Sequence, residues 1–109
     1  MKICGISDLH GNLNVKIKES DVLCICGDIL PLSIQHSEPA AKSWIERKFI
    51  PWLKKQPVKK IYLVAGNHDF AFERNPNLLK EIYSGADIEY LFNSFSECEG
   101  VRFFGTTMC

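Results

Sequence analysis

The sequence lacks an excess of charge of either sign. Its 109 residues carry 13 Lys and Arg against 13 Asp and Glu, so the formal net charge is zero. This balance offers no bulk attraction for nucleic acid or for an anionic membrane. No stretch approaches the roughly 18 apolar residues of a membrane span, and the opening MKICGISD has too short an apolar run for a secretory signal. We therefore expect neither nucleic acid nor a membrane as a partner.

Three familiar short motifs are also missing. The chain has five Cys residues, but no two of them form a C-x-x-C pair, which argues against zinc-finger and thioredoxin-like proteins. Three of the five lie in apolar runs, where Cys behaves as a small hydrophobe. We therefore expect a reduced, cytoplasmic protein. No G-x-G-x-x-G or Walker loop follows a strand pattern, so a nucleotide-binding α/β domain is the weaker alternative.

The apolar pattern predicts an α/β fold with a parallel sheet. Short runs rich in Ile, Val and Cys at 2–6, 22–26 and 60–65 are typical of strands buried on both faces. Residues 38–56 show helical spacing instead, with one apolar stripe that should face the core. The members of this stripe are Ala41, Trp44, Ile45, Phe49, Trp52 and Leu53.

The other elements follow from turn and capping signals. Ser37 is predicted to cap the long helix with Pro39 in its first turn, and Pro51 should kink or divide it. The connection at 11–21 alternates with a period of two, which predicts an extended segment rather than a helix. A second helix is predicted at 75–85, closed by Gly85. Further strands are predicted at 88–92, 94–98 and 101–106, with a hairpin turn at 98–101.

Polar side chains follow each of the first three predicted strands. Asp8 and His10 lie in SDLHGN, Asp28 in GDIL, and Asn67 and His68 in GNHD. Each cluster alone is a weak signal, but the carboxyl ends of parallel strands meet at one edge, where ligands bind in α/β proteins. Mixed carboxylate, imidazole and amide ligands suit Mn, Fe or Zn. A carboxylate such as Asp28 can bridge two ions roughly 3.5–4 Å apart, which activate a water and clamp a phosphoryl group.

In this order, the motifs DLHGN, GD and GNHD resemble those of the calcineurin-like metallophosphoesterases, and the resemblance covers nearly the whole chain. It implies a β-sandwich flanked by helices, two divalent metal ions and a small phosphate-ester substrate. The absence of D-R-G after GD points away from the protein Ser/Thr phosphatases and towards the small phosphodiesterase-type members.

The resemblance also implies roles for individual residues. Asp8 and His10 would bind the first metal, Asp28 would bridge both ions, and Asn67 would bind the second. His68 would protonate the leaving oxygen or steady the phosphate. Asp69 would orient His68, the alternative for Asp69 being a solvated loop carboxylate.

The sequence departs from the family in its later part. The family pattern continues with a further His and a G-H-x-H block, whereas no His follows His68, and His36 is expected on the surface before the long helix. Residues 1–109 are therefore expected to form one partial, truncated domain, the N-terminal half of a phosphoesterase. The alternative is a non-catalytic remnant that keeps one weak metal site. With much of the second sheet absent, an exposed sheet edge should lead to self-association.

Overall fold

The structure is a computed structural model that describes residues 1–34, 36–65, 69, 87–91 and 93–106. In these residues four strands form a parallel sheet, in which they lie side by side in the same order as along the chain. The predicted α/β class with a parallel sheet is confirmed. The strands are β1 (Ile3–Ile6), β2 (Ser20–Cys26), β3 (Val58–Val64) and β4 (Ile88–Tyr90).

The two central strands form the middle of the core. In β2 the side chains of Val22, Leu23 and Ile25 are fully buried, and β3 buries three successive residues from Ile61 onwards. The prediction of burial on both faces is wrong for β1, where Ile3 is 51% exposed. This strand pairs on one side with β2 and is the edge of the sheet, so its outward-facing side chains lack a covering layer among the described residues.

The predicted long helix is present and begins as expected. It consists of α1 (Glu38–Trp44), a π-helical segment (Ile45–Phe49) and α2 (Ile50–Lys54), and a short 3-10 turn (Leu32–Ile34) precedes it. The Ser37 hydroxyl accepts a hydrogen bond from the Ala40 amide at 3.3 Å, and Pro39 lies in the first turn. Both capping predictions are therefore confirmed.

Pro51 changes the helix in a particular way. In a regular α-helix its ring would collide with the carbonyl of Arg47, and it has no N–H to donate. The chain widens just before it, where the Ile50 amide bonds to the Ile45 carbonyl in a π turn. The predicted division at Pro51 is thus a change of hydrogen-bond register rather than a break.

The apolar stripe of the helix packs against one face of the sheet. Phe49 is fully buried and stacks on both neighbouring tryptophans, with ring centroids 5.4 Å from Trp44 and 6.1 Å from Trp52. The connection at 11–21 contains no helix, as predicted, and its Ile17 side chain is buried in the same core. The main core of the described residues therefore lies between the helix and this face of the sheet.

The opposite face of the sheet is covered in part by a hairpin. It consists of β5 (Ser94–Cys98) and β6 (Val101–Gly105), which pair antiparallel around a turn at Glu99 and Gly100 with φ of 50° and 81°. Two positive φ values are typical of the type I′ hairpin turn, and the predicted turn is confirmed. The hairpin contacts the sheet where the Phe103 ring stacks on Tyr62 with centroids 4.7 Å apart.

Two predicted features fall outside the described residues. They are the second helix at 75–85 and the end of the strand predicted to reach residue 92. Among the helices that the structure does describe, none combines the length and the apolar character needed to cross a bilayer.

Candidate metal centre

The loops that follow β1 and β2 lie side by side at the carboxyl edge of the sheet. Three backbone hydrogen bonds join them, each from an amide of the loop after β1 to a carbonyl of the loop after β2. They link the Asp8 amide to the Gly27 carbonyl (3.2 Å), the His10 amide to the Asp28 carbonyl (2.8 Å), and the Gly11 amide to the Ile29 carbonyl (3.0 Å). The relative position of the two loops is therefore fixed by the backbone, before any side chain takes part.

The backbone itself is unusual at three residues of these loops. Asp8, His10 and Asp28 have φ of 58°, 47° and 53°, in the left-handed region that side chains other than Gly seldom occupy. Each such residue costs roughly 1–3 kcal/mol and tends to mark a functional site. The strain coincides with the residues that the sequence singled out as metal ligands.

The side chains of the same three residues meet. One ligand atom from each of Asp8, His10 and Asp28 lies within 4.8 Å of the other two. Zinc lies about 2.0–2.2 Å from its nitrogen and oxygen ligands, so this spacing is close to what a single ion needs. We call these three side chains the candidate metal centre. In the described part of the chain, they form the group that could hold a cation.

The candidate metal centre is open on one side and buried on the other. Asp8 is exposed and accepts a hydrogen bond from the Ser7 hydroxyl at 2.7 Å, whereas Asp28 is only 8% exposed. A buried carboxylate loses hydration and is stabilised by an opposite charge, which a cation at this point would supply. The donor set and its burial therefore fit a divalent metal.

Gly11 allows the two loops to approach this closely. Its φ is +83°, and a Cβ atom built on it would lie 2.4 Å from Pro31 Cγ. Any other residue would have to displace the segment that follows Asp28. The glycine of DLHGN is therefore required by packing as well as by backbone conformation.

Asp69 supports the second loop from its other side. Its carboxylate is 1% exposed and accepts hydrogen bonds from the backbone amides of Ile29 (3.0 Å) and Leu30 (2.9 Å). The alternative of a solvated loop carboxylate is therefore wrong. Its predicted partner His68, like Asn67, lies outside the described residues.

The comparison with known protein families agrees with the motifs. The family model for calcineurin-like phosphoesterases matches residues 1–106. The chain belongs to this family. No curated protein matches the chain. The four-stranded parallel sheet with its helix is compatible with the metallophosphoesterase fold, and the candidate metal centre lies at the strand ends of this phosphoesterase domain.

No pattern in the sequence indicates the hydrogen bonds that Asp69 accepts. The carboxylate and the amides it binds are 39 and 40 residues apart, and no periodicity or spacing connects them. The surface position predicted for His36 is confirmed, since that residue is exposed.

Tyr90 lies in the same buried region of the phosphoesterase domain. It is 4% exposed at the end of β4. Burial, reinforced by the negative charge of Asp69, raises the pKa of Tyr90 to about 12 from its ordinary value of 10.0. Because the neutral phenol is favoured in the folded state, Tyr90 stabilises the fold below pH 10, and this contribution is lost as the pH rises through about 12.

Tyr90→Phe should therefore make the domain less sensitive to alkali. Between pH 10 and 12 the unfolded state releases a proton that the folded state keeps, and the free energy of unfolding falls by up to about 1.4 kcal/mol per pH unit. Urea unfolding of the wild type and of Tyr90→Phe at several pH values measures the difference in slope. Parallel curves for the two proteins would contradict the assignment.

Proposed function

We propose that this protein hydrolyses small phosphate esters, phosphomonoesters or phosphodiesters, with the help of divalent metal ions. The observation that carries the proposal is the convergence of Asp8, His10 and Asp28 within 4.8 Å, at the carboxyl edge of the sheet. Membership of the calcineurin-like phosphoesterases supports the same chemistry. The donor set of two carboxylates and one imidazole suits Mn, Fe or Zn.

The residues at the candidate metal centre would have different roles in this reaction. Bound divalent ions would lower the pKa of the attacking water and neutralise charge on the phosphate. Asp28 would hold such ions from the buried side, while the exposed Asp8 and the half-buried His10 would leave the solvent side open to a phosphate ester. We further propose that Asn67 binds the second ion and that His68 protonates the leaving oxygen.

Hydrolysis of bis-p-nitrophenyl phosphate and of p-nitrophenyl phosphate with Mn²⁺ tests the proposal. We expect slow, metal-dependent turnover, because the described donors suffice for one ion whereas the clamp on a phosphoryl group uses two. Asp8→Asn should lower the rate at least about ten-fold, the lower limit for disturbing the surroundings of a metal. Asp21→Asn is the matched control, since that carboxylate lies at the opposite end of β2.

A second candidate function is metal binding without turnover. It is favoured by the composition of the candidate metal centre, in which one imidazole is the single nitrogen donor among the described residues. This candidate would be favoured over the enzyme if the wild type binds Mn²⁺ and Asp8→Asn does not, while both proteins hydrolyse the two substrates at the same rate.

We also propose that two copies of the chain associate through the outer face of the hairpin. Phe95 and Phe104 pair directly across the strands on this face, and each is 65% exposed. Glu97 and Arg102 form the neighbouring pair. A second copy turned by a two-fold rotation would therefore offer both apolar contact and opposite charges to this face.

The variant Phe95→Thr/Phe104→Thr should reduce this association. Threonine keeps the preference for strands while removing most of the apolar surface. Size-exclusion chromatography at increasing protein concentration measures the effect, and Leu32→Thr is the control because Leu32 is 56% exposed on a different element. Association that persists in the double variant would place the interface elsewhere.

We infer a reducing, cytoplasmic location from the thiols. Cys4, Cys24, Cys26 and Cys98 are free in the structure. Burial, reinforced by the neighbouring thiols, raises the pKa of Cys24, so its thiol stays protonated and inert. Cys26 differs from the sequence-based expectation of a buried hydrophobe, since it is exposed at the end of β2.

A further inference from the structure

The loop after β2 is held between two partners. On one side its carbonyls at Gly27, Asp28 and Ile29 accept the three backbone bonds from the loop after β1. On the other side its amides at Ile29 and Leu30 donate to the carboxylate of Asp69. The loop after β2 is thus bonded to the loop after β1 on one side and to Asp69 on the other, beyond Cys26, where the pairing of β2 with β3 ends.

We propose that Asp69 is a positioning residue that sets the place of Asp28 in the candidate metal centre. Its carboxylate locks the two residues that follow Asp28, and the same loop carries the carbonyls that align His10 and Gly11. We call Asp69 and its two hydrogen bonds to Ile29 and Leu30 the clamp. It acts through the backbone, without contact to a substrate. Its effect on metal binding rests on the proposed function, whereas its effect on the loop does not.

The chemistry of a carboxylate suits this role better than that of an amide. Each of its two oxygens accepts one backbone N–H, and hydrogen bonds to an ionised acceptor are roughly twice as strong as neutral ones. Asn would offer a single acceptor and turn an NH₂ group towards the other amide. The left-handed backbone of Asp28, with φ of 53°, persists only where its surroundings fix it, and these bonds begin at the next residue.

Amide hydrogen exchange on the metal-free chain tests the clamp directly. In the wild type the amides of Ile29 and Leu30 should exchange slowly, because they are buried and bonded. In Asp69→Asn their exchange should be at least about ten-fold faster than in the wild type, while amides in the middle of β2 keep their rates. Fast exchange of Ile29 and Leu30 in the wild type would overturn the proposal even if the variant failed to fold.

Titration with Mn²⁺, followed by the electron paramagnetic resonance of the free ion, tests the consequence for Asp28. Asp69→Asn should weaken Mn²⁺ binding by about 10- to 100-fold, as expected when a group that orients a ligand is removed. Leu53→Ala is the matched control for general destabilisation, since Leu53 is buried near the start of β3, at the other end of the sheet. Asp69→Glu, which keeps the charge but moves the oxygens, should recover little of the affinity.

The outcomes separate the two proposals. If the wild type binds no Mn²⁺, the proposed function fails, and the exchange of Ile29 and Leu30 still decides the clamp. If Asp69→Asn leaves both the exchange and the Mn²⁺ affinity unchanged, Asp69 does not position Asp28. If Leu53→Ala weakens Mn²⁺ binding as much as Asp69→Asn does, the effect of Asp69 is one of general stability, which also overturns the proposal.

Discussion

Asp28→Asn is expected to weaken Mn²⁺ or Zn²⁺ binding by about 100-fold or more, a loss of at least about 2.7 kcal/mol. Asp28 is the most buried of the three ligands in the candidate metal centre. Its carboxylate is removed from water, so its interaction with a cation is weakly screened and correspondingly strong. Asn has nearly the same shape and tolerates the left-handed backbone at this position, so the substitution removes charge and leaves the loop intact.

Calorimetric titration with each metal measures this loss. Asp21→Asn removes a carboxylate of similar size near the start of β2, where it accepts a hydrogen bond from the Lys2 amide, and should leave the affinity unchanged. Circular dichroism of the Asp28 variant checks that its fold is retained. Metal affinity equal to that of the wild type in a folded Asp28→Asn protein would place the metal site elsewhere.

Phe49→Ala is expected to remove a large part of the free energy of unfolding and to lower the urea midpoint strongly. Truncation of a fully buried Phe costs about 3–5 kcal/mol, and a domain of this size has roughly 5–15 kcal/mol in total. Phe49 is fully buried in the π-helical segment and stacks on Trp44 and Trp52, so its removal leaves a cavity and two unsupported rings. Urea unfolding followed by tryptophan fluorescence reports directly on these two residues.

Phe95→Ala provides the matched control for this prediction. The same side chain is removed, but from a position that is 65% exposed on the outer face of the hairpin, so a change within about 0.5 kcal/mol is expected at a protein concentration too low for two copies to associate. Equal unfolding midpoints for Phe49→Ala and the wild type would mean that the helix does not form the core as described.

The sequence was sufficient to predict most of the fold because its signals are local. Helical spacing from Ala41 to Leu53 marked the buried face of the helix, and the hydroxyl of Ser37 marked its start. The error at β1 has a physical origin. A run such as KICGI has the same composition in a central strand and in an edge strand, and its neighbours in the sheet are set by distant parts of the chain.

Only those residues of the candidate site that directly follow the ends of strands could be predicted from the sequence. Asp8, His10 and Asp28 could be expected at one edge, because parallel strands direct their carboxyl ends to the same side. Their left-handed backbone conformations could not be foreseen, since Asp and His adopt this region more often than most residues but still in only a small fraction of cases. The bonds from Ile29 and Leu30 to Asp69 depend on the tertiary structure alone.

The strand order β1-β2-β3-β4 repeats the order of synthesis. A growing chain can add each strand to the one made just before it, and domains commonly fold from the N-terminus during translation. The candidate metal centre is complete by Asp28, yet a sheet of two strands is at best marginally stable in water. Lasting capture of a cation should therefore wait until β3 has emerged and Asp69, the last part of the clamp, has followed it from the ribosome.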